Sequence, residues 1–392
     1  MKRSLLAVAV SCGCLFTTGL HATPLDQWTL CSSPVRNHLL GVGFGSNRFI
    51  AVGGYGVILV SSDGTNWNTR ASTTSNELKC IAYGGGVFAA AGAGVVVIST
   101  NTVAWRALYR RASASLSPNP PYFYGISYGV NFGVDRFVAV GDNGEVQWTD
   151  PFPIFMGWST RLSLSGITYG NGQFMAVGEV PGAQAVIAKI VVPPGWAPFT
   201  YGHSLAGKSL RGIAYGTNEF VAVGLDGRTL TSPDGIAITN QNSGVSEDLS
   251  AITYGGNLFV AVGGAGTVVS SPDGVVWTSH NSGATNNLNG VAYGNGYFVA
   301  VGDDGTILRS GFTPPTSPPD KIKISGLSVA TGALFLRFTS SRDDSASDFK
   351  VLTATQPTGP YLDTGARVTG NSGVFQAGVP AGGVSRFYRV QK

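Results

Sequence analysis

Short runs of alternating apolar and polar residues, separated by glycine-rich turns, fill most of this 392-residue chain. One copy of the pattern consists of residues 290–293, a Gly-Asn-Gly turn, residues 298–301, a Gly-Asp-Asp-Gly turn and residues 306–309. Such runs with such turns predict antiparallel strands joined by hairpins. Another copy continues through Ser-Pro-Asp-Gly into a further apolar run near Trp277. We therefore expect four strands in each unit.

The four-strand unit repeats seven times along the chain. A glycine closes a Phe-x-Ala-x-Gly segment at positions 53, 92, 141, 178, 224, 263 and 302, with spacings of 37 to 49 residues. A period near forty with four strands per copy is typical of a β-propeller. We predict an all-β protein with a seven-bladed β-propeller over residues 23–312.

Aromatic residues recur at two fixed points of every copy. The first set is Phe44, Tyr83, Tyr128, Tyr169, Tyr215, Tyr254 and Tyr293, and the second is Phe49, Phe88, Phe137, Phe174, Phe220, Phe259 and Phe298. A side chain that every blade repeats is expected to pack blade against blade rather than to contact a ligand.

The beginning of the propeller is predicted to complete its last blade. The seventh copy stops after Ser310 without an outer strand. In regular copies the outer-strand Trp lies fourteen residues before the apolar residue of the next inner strand, and Trp28 lies fourteen residues before Val42. We expect residues 26–31 to pair with residues 306–310, which leaves no open radial edge.

Two segments, Ser61–Trp67 and Ser271–Trp277, read Ser-x-Asp-Gly-x-x-Trp, and residues 99–105 and 232–238 are degenerate copies. Between residues 26 and 312 the chain therefore resembles the BNR/Asp-box propellers, which include sialidases and the photosystem II assembly factor. The resemblance implies the fold and carries little information on function. Since the Asp of such a box accepts N–H bonds within its turn, Asp63, Asp234 and Asp273 are interpreted as turn residues rather than catalytic acids.

Composition and the N-terminus narrow the class of protein. The chain has 56 glycines and only 12% charged residues, which excludes a disordered polyelectrolyte and a helical bundle. Residues 1–22 read as a signal peptide, so we expect a secreted or periplasmic protein without a membrane span; an uncleaved anchor is the less favoured alternative because the apolar run is short. Cleavage lowers the net charge from +4 to +2, because it removes Lys2 and Arg3. That balance does not favour nucleic-acid binding.

Cys31 and Cys80 are the cysteines that remain after such a cleavage. Two cysteines are too few for a four-ligand zinc site. The repeat register assigns them to different blades, although a single disulfide stays open as an alternative in an oxidising compartment.

No catalytic set emerges from the sequence. The resemblance to sialidases would require an arginine triad and a Tyr–Glu pair, and the Phe-Arg-Ile-Pro segment of that family is absent. The remaining histidines, His38, His203 and His280, lack metal-ligand spacing. We predict a protein that is not an enzyme and has no cofactor and no metal. The alternative is a glycan-active hydrolase or lyase with a site at the channel mouth.

Two longer inserts, residues 106–124 and 199–211, are expected as loops around the mouth of the channel. Their aromatic residues beside Arg and His suit a glycan or a protein partner, and the opposing interpretation is that both are solvated loops. The candidate binding residues are Arg110, Arg111, Tyr122, Tyr124, Tyr201, His203 and Arg211. We predict a monomeric recognition scaffold that binds a glycan or protein partner through this face.

Four acidic residues occupy second-to-third strand turns of the same face: Asp142, Asp226, Asp303 and Asp304. Together they would suit a cation. Asp is also an ordinary residue of a Gly-Asp-x-Gly turn, and this plain interpretation is favoured.

The C-terminal part departs from the repeat. Residues 313–321 are proline-rich and predict a linker. Residues 322–392 alternate apolar runs with polar turns, for which we predict a small β-sandwich. The order of these runs, ending at residues 386–390, is similar to that of fibronectin type III-like modules in secreted bacterial proteins.

Overall fold

The computed structural model describes residues 25, 27–108, 121–149, 155–159, 162–180, 184–192 and 199–311, and in the C-terminal part 323–330, 333–339, 350–354, 362–364, 366, 368–371, 374–380 and 387–391. The chain divides into two compact units; Ala22–Pro314 form one, and Pro315–Lys392 belong to the other. The predicted signal peptide and linker lie outside the described residues and stay predictions.

The first unit is a seven-bladed β-propeller, as the repeat predicts. Each blade is a four-stranded antiparallel sheet whose strands follow one another from the channel outward. Blades 1 to 4, from inner to outer strand, consist of Leu39–Gly45, Arg48–Gly53, Ile58–Ser61 and Asn68–Arg70; Leu78–Gly84, Val87–Gly92, Val96–Ser99 and Arg106–Leu108; Phe123–Asn131, Val134–Gly141, Glu145–Thr149 and Phe155–Ser159; and Ser163–Gly170, Gln173–Val180, Gln184–Val191 and Phe199–Leu205. Blades 5 to 7 consist of Leu210–Gly216, Glu219–Gly224, Arg228–Ser232 and Thr239–Asn242; Leu249–Gly255, Leu258–Gly263, Val268–Ser271 and Thr278–His280; and Leu288–Gly294, Tyr297–Gly302, Ile307–Ser310 and Trp28–Leu30.

The N-terminal strand closes the last blade, and this prediction is confirmed. Trp28–Leu30 pairs antiparallel with Ile307–Ser310. Beyond the strand, the Gly311 N–H donates to the Gln27 carbonyl at 2.7 Å. The first and last segments of the propeller therefore share one sheet, and blade 7 has the same four strands as the others.

The inner strands of neighbouring blades pack through one repeated contact, an aromatic ring over a glycine. At Gly170 an added Cβ would meet Cγ of Tyr215 at 2.1 Å, so only glycine leaves room for the ring. The corresponding distance is 2.0 to 2.2 Å at all seven steps, which are Gly45–Tyr83, Gly84–Tyr128, Gly129–Tyr169, Gly170–Tyr215, Gly216–Tyr254, Gly255–Tyr293 and Gly294–Phe44. The last step joins blade 7 to blade 1, so the contact runs around the complete ring.

Each of these rings also packs on the phenylalanine of its own second strand. The ring centroids lie 4.6 to 5.0 Å apart in tilted arrangements. The seven phenylalanines are at most 2% exposed. The repeated aromatic residues are therefore structural, as predicted, and they account for the packing between blades.

A second set of glycines is required by a β-bulge in every inner strand. In blade 1 the pairing shifts between Leu39 and Gly41, which leaves Leu40 out of the ladder. The bulge brings the His38 carbonyl oxygen to 2.1 Å from the position of a Cβ on Gly53. All seven glycines that close a second strand show this approach, at 1.8 to 2.2 Å. One residue per blade is thereby turned out of the sheet.

The Asp boxes are hairpin turns between the third and outer strands. Asp63 Oδ1 accepts N–H bonds from Thr65 at 2.9 Å and Asn66 at 2.8 Å, and the Trp67 indole donates to the Gly64 carbonyl at 3.0 Å. Burial favours the neutral acid, but the N–H donors outweigh it and hold the pKa of the Asp63 carboxyl well below its usual range.

The other boxes use the same bonds. Asp234 and Asp273 each accept two turn N–H groups at 2.8 to 3.0 Å. In the degenerate box of blade 2 the amide oxygen of Asn101 accepts the equivalent pair at 3.0 and 2.9 Å. The interpretation of Asp63, Asp234 and Asp273 as turn residues is confirmed.

The second unit contains two antiparallel sheets among its described residues. The four-stranded sheet consists of Lys323–Ala330, Ala333–Thr339, Val374–Pro380 and Val368–Asn371, and the three-stranded sheet of Leu362–Asp363, Lys350–Ala354 and Phe387–Gln391. Two of these strands, Leu362–Asp363 and Val368–Asn371, have no run of apolar residues, so the alternation of apolar runs and polar turns does not reveal them. The likeness to fibronectin type III modules stays a prediction.

We expect Gly84→Ala to lower the free energy of unfolding by about 3 kcal/mol, because the methyl group overpacks the Tyr128 ring. Gly86→Ala is the matched control, since Gly86 has φ +78° but nothing within 4 Å of an added Cβ, and it should cost about 1 kcal/mol. Denaturant unfolding measures both. Equal losses would contradict the packing argument, and a Tyr128→Ala background should reduce the cost of Gly84→Ala.

Asp63→Ala should lower the free energy of unfolding by about 1 kcal/mol at neutral pH, because two turn N–H groups lose their acceptor. Asp63→Asn should cost less, since Asn101 fills the same role in blade 2. The pKa of Asp63 is lower in the folded than in the unfolded chain, so its stabilisation is present above about pH 4 and is lost as the pH falls through the folded value. Urea unfolding at about pH 7 and pH 3 should therefore show a smaller difference between wild type and Asp63→Ala at the lower pH. A constant difference would contradict this assignment.

Candidate functional site

The seven residues that the bulges expel form a ring at one mouth of the central channel. They are Leu40, Lys79, Tyr124, Ser165, Arg211, Ser250 and Asn289. All seven line one cavity of about 460 Å³. We call this set the bulge ring; each blade contributes one member at the same height.

An apolar ring lies beneath the bulge ring. It consists of Val42, Ile81, Ile126, Ile167, Ile213, Ile252 and Val291, two positions further along each inner strand. Four of these residues, Ile126, Ile167, Ile213 and Ile252, also line a cavity of about 330 Å³ at the opposite mouth. This set, the apolar girdle, therefore separates the two ends of the channel.

Lys79 and Arg211 are the cations of the bulge ring. Neither has a hydrogen bond or an ion pair to any residue in the part of the chain that the structure describes. Burial lowers the pKa of the Lys79 amine, the neighbouring Glu77 acts in the opposite direction, and Arg211 adds to the lowering. Lys79 is thus a partly buried positive charge without a direct counter-ion.

Four acids of the same face accept hydrogen bonds within their blade or from a neighbouring blade. Asp303 accepts hydrogen bonds from Asn289 at 2.8 Å and Asn287 at 3.0 Å, and it lies 3.1 Å from Nδ1 of His38 in blade 1. Burial opposes the charge, but these three partners prevail and lower the pKa of the Asp303 carboxyl. The remaining acceptor contacts are Asp142 with the Tyr122 N–H, Asp248 with the Asp226 N–H, and Glu179 with the Ser209 hydroxyl.

The four aspartates considered as a cation site have turn roles. Asp142 and Asp303 accept the hydrogen bonds just described, whereas Asp226 and Asp304 occupy the left-handed position of their turns, with φ of 55° and 54°. Within the described residues, no group of three or more His, Cys, Asp or Glu side chains is arranged to hold a metal ion.

Two of the predicted binding residues, Tyr124 and Arg211, lie in the bulge ring itself. Tyr122 is adjacent, with its ring centroid 4.9 Å from that of Tyr124. Arg110 and Arg111 lie outside the described residues. The sequence reasoning missed Lys79 and Asn289, although the repeat contains the signal: the position after each leading Leu or Phe varies from copy to copy while its neighbours recur.

The prediction of a loop over residues 199–211 is wrong except for residues 206–209, which connect two strands. Phe199–Leu205, which contains Tyr201 and His203, is the outer strand of blade 4 and pairs with Gln184–Val191. The third strand of this blade has eight residues where the regular blades have four or five. The wide repeat spacing therefore reflects longer strands, and Tyr201 and His203 lie at the outer edge of the blade, away from the channel.

Tyr55 is an exposed aromatic residue on the mouth face. It is 82% exposed and occupies the left-handed position of its turn, with φ 57°. Asn143, Asp226, Ala265 and Asp304 hold this position in other blades. A tyrosine in this conformation is strained, whereas Asn and Asp tolerate it. The strain is confined to a side chain that packs little and faces solvent.

Cys31 and Cys80 are both free thiols. Cys80 lines the mouth cavity in blade 2, and burial raises the pKa of its thiol to about 12. Cys31 follows the outer strand of blade 7, so the two thiols lie in different blades, as the register predicts. The described residues contain no helix that is long and apolar enough to cross a membrane.

A closed ring of seven four-stranded blades with a polar channel mouth defines a seven-bladed β-propeller. No protein-family model matches the sequence, and no curated protein matches it. Among solved structures the chain is similar to YCF48 from Cyanidioschyzon merolae, with TM-score 0.56 and 18% identity over 74% of this chain and 99% of that chain. It is similar to YCF48 bound to D1 peptide, with TM-score 0.57 and 16% identity over 76% and 99%. The Neurospora crassa Pan2 WD40 domain gives TM-score 0.56 and 8% identity over 75% and 97%. At these identities the likeness shows the fold.

Tyr55→Asn should raise the free energy of unfolding by about 0.5–1 kcal/mol, because Asn accepts the left-handed conformation and little packing is lost. Thermal unfolding measures the change. Ala265→Asn, at the same turn position in blade 6, is the comparison and should give a gain of similar sign. A loss of stability at Tyr55 alone would mean that its ring contributes packing that outweighs the strain.

Proposed function

We propose that this chain is a secreted or periplasmic Asp-box propeller that binds a protein partner by receiving a peptide segment at the bulge ring. The observation that carries the proposal is the ring itself. Seven side chains of six different types stand at one position of an otherwise repeated frame. Side chains that leave the ladder can vary without disturbing it, which suits a surface that discriminates between partners.

Three further observations favour a peptide over a glycan. YCF48, a propeller of similar fold, has been solved bound to D1 peptide. Two of the seven residues considered for a glycan or a protein partner, Tyr201 and His203, lie on an outer strand and not in a loop at the mouth, which leaves fewer aromatic residues there for a sugar to stack on. The exposed Tyr55 adds an aromatic contact on the mouth face, of the kind that is enriched at protein interfaces.

A selection from a random peptide library tests the proposal. The purified full chain is expected to enrich peptides, whose affinity is then measured by fluorescence anisotropy. Ser250→Trp fills the mouth and should weaken binding by about tenfold or more. Ser279→Trp makes the same change on the exposed outer strand of the same blade and should leave binding unchanged.

Two results would overturn the proposed function. One is that no peptide is enriched, and binding on a glycan array that Ser250→Trp abolishes would then identify a glycan site instead. The other is that Ser250→Trp and Ser279→Trp weaken peptide binding equally although both variants keep the wild-type melting temperature, since the binding surface would then lie elsewhere.

A further inference from the structure

We propose that the bulge ring recognises a carboxylate group of the bound peptide through Lys79 and Arg211, with the apolar part of the same peptide residue seated on the apolar girdle. This inference rests on the proposed function and specifies the chemistry of its ligand.

The two cations differ from the other basic residues of the mouth face. Lys208 forms an ion pair with Asp226, and Arg228 donates to the Lys208 and Ala206 carbonyls at 2.7 Å. Lys79 and Arg211 line the cavity and have no such partner among the described residues. Two cations without a hydrogen-bonded or ion-paired partner on one small cavity are complementary to an anionic oxygen pair, and the Arg fork can hold both oxygens.

Acidic residues are also present around the mouth, and they could in principle favour a basic ligand. Four of them, Asp142, Glu179, Asp248 and Asp303, already accept N–H or O–H bonds within the protein. Glu77 is the acid that acts most strongly on Lys79, and it precedes the bulge, outside the ring. These hydrogen bonds leave the carboxylates charged, but among the side chains that line the cavity the two cations, Lys79 and Arg211, outnumber the one acid, Asp248.

Neutral donors complete the site. The hydroxyl groups of Ser165 and Ser250 lie in the bulge ring, on either side of Arg211 in blade order. Neither makes a hydrogen bond within the described residues, so both can donate to a carboxylate. Asn289 is different, because its amide is held by the Leu39 carbonyl at 3.1 Å and by Asp303.

The bottom of the cavity determines which group of the ligand accompanies the carboxylate. Beneath the cations the cavity ends on the branched side chains of the apolar girdle, including Ile81, Ile126 and Ile167. A cavity of about 460 Å³ with this layering suits a single residue that combines a carboxylate with an apolar group. That chemistry has two sources, the C-terminal carboxylate of an apolar residue and an Asp or Glu side chain beside one.

The melting temperature of a Lys79 variant distinguishes a role of Lys79 in recognition from a role in stabilising the fold. A partly buried cation without a counter-ion destabilises the free protein. Lys79→Met is therefore expected to keep or raise the melting temperature of the full chain while it weakens ligand binding. If Lys79 stabilised the fold, Lys79→Met would instead lower the melting temperature.

Two matched hexapeptide libraries, one with a free C-terminal acid and one with a C-terminal amide, test the inference on the full chain. Enrichment of the free acids alone identifies the C-terminal carboxylate, and enrichment of Asp or Glu in both libraries identifies the side chain; either supports the proposal. Bound peptides without a carboxylate preference, or with a preference for Lys and Arg, overturn this inference but leave the proposed function standing. No bound peptide from either library overturns the proposed function as well.

Variants then assign the contact. The double variant Lys79→Met, Arg211→Met should weaken a selected carboxylate peptide by about 10- to 100-fold and leave its carboxamide analogue within about twofold. Lys208→Met, an exposed cation of the same face that is paired with Asp226, should change neither peptide. Direct contact would be contradicted if Lys208→Met weakened binding of the carboxylate peptide as much as the double variant does. It would also be contradicted if the double variant weakened the acid and amide peptides equally. In either case the cations would not act through contact with the carboxylate.

Discussion

The propeller depends on one contact, an aromatic ring laid over a glycine of the preceding blade. Seven inner strands must converge on a narrow channel, and a Cβ at the glycine would come within 2.0 to 2.2 Å of the ring. The ring then fills the wedge between blades and packs on the phenylalanine of its own second strand. Because Gly294 and Phe44 make the same contact across the seam, closure requires no special device in the core. The high glycine content and the low charge of the chain follow from this geometry, since they recur with every blade.

The second constraint, the bulge, links this frame to a site. The inner strand can turn one residue into the channel mouth only because the second strand ends in a glycine that admits the approaching carbonyl. The hydrogen-bond ladder resumes beyond the bulge, so the sheet does not depend on the identity of the expelled side chain. Packing and recognition are thus assigned to alternate positions of the same strand: Leu39 is fully buried in the core, Leu40 faces the mouth, and Val42 belongs to the apolar girdle.

Periodicity made the fold accessible from sequence, because every structural requirement is repeated seven times. The register of Trp28 against Val42 was enough to place the closing strand, since distance along a repeat is conserved when strands are regular. The same reasoning failed in blade 4, where extra residues between repeats were assigned to a loop. A count of residues does not distinguish a longer loop from two longer paired strands, and Phe199–Leu205 is a strand because Gln184–Val191 extends to meet it. Tyr124 and Arg211 were found because they are aromatic or basic residues in irregular segments. Lys79 lies in a regular copy without an insert, so a search of the irregular segments does not find it.

Strained backbone occurs on both faces of the propeller, for example at Phe132 in a first-to-second strand turn and at Tyr55 on the mouth face, whereas the partly buried cation Lys79 lies at the mouth. At the opposite face the box carboxylates are fully engaged by N–H donors, as at Asp63, and their charge strengthens the turns that hold it. At the mouth face Tyr55 holds a conformation that the equivalent Asn and Asp accept more easily, and Lys79 holds a charge that burial opposes. Neither the backbone conformation of Tyr55 nor the charge of Lys79 stabilises the free protein. Each concerns one side chain that reaches solvent or the channel. Under the proposed function, the cost of burying the charge of Lys79 is offset when a ligand binds. An anionic group that enters the mouth would relieve the charge on Lys79, so the stability lost in the free propeller would return as affinity in the complex.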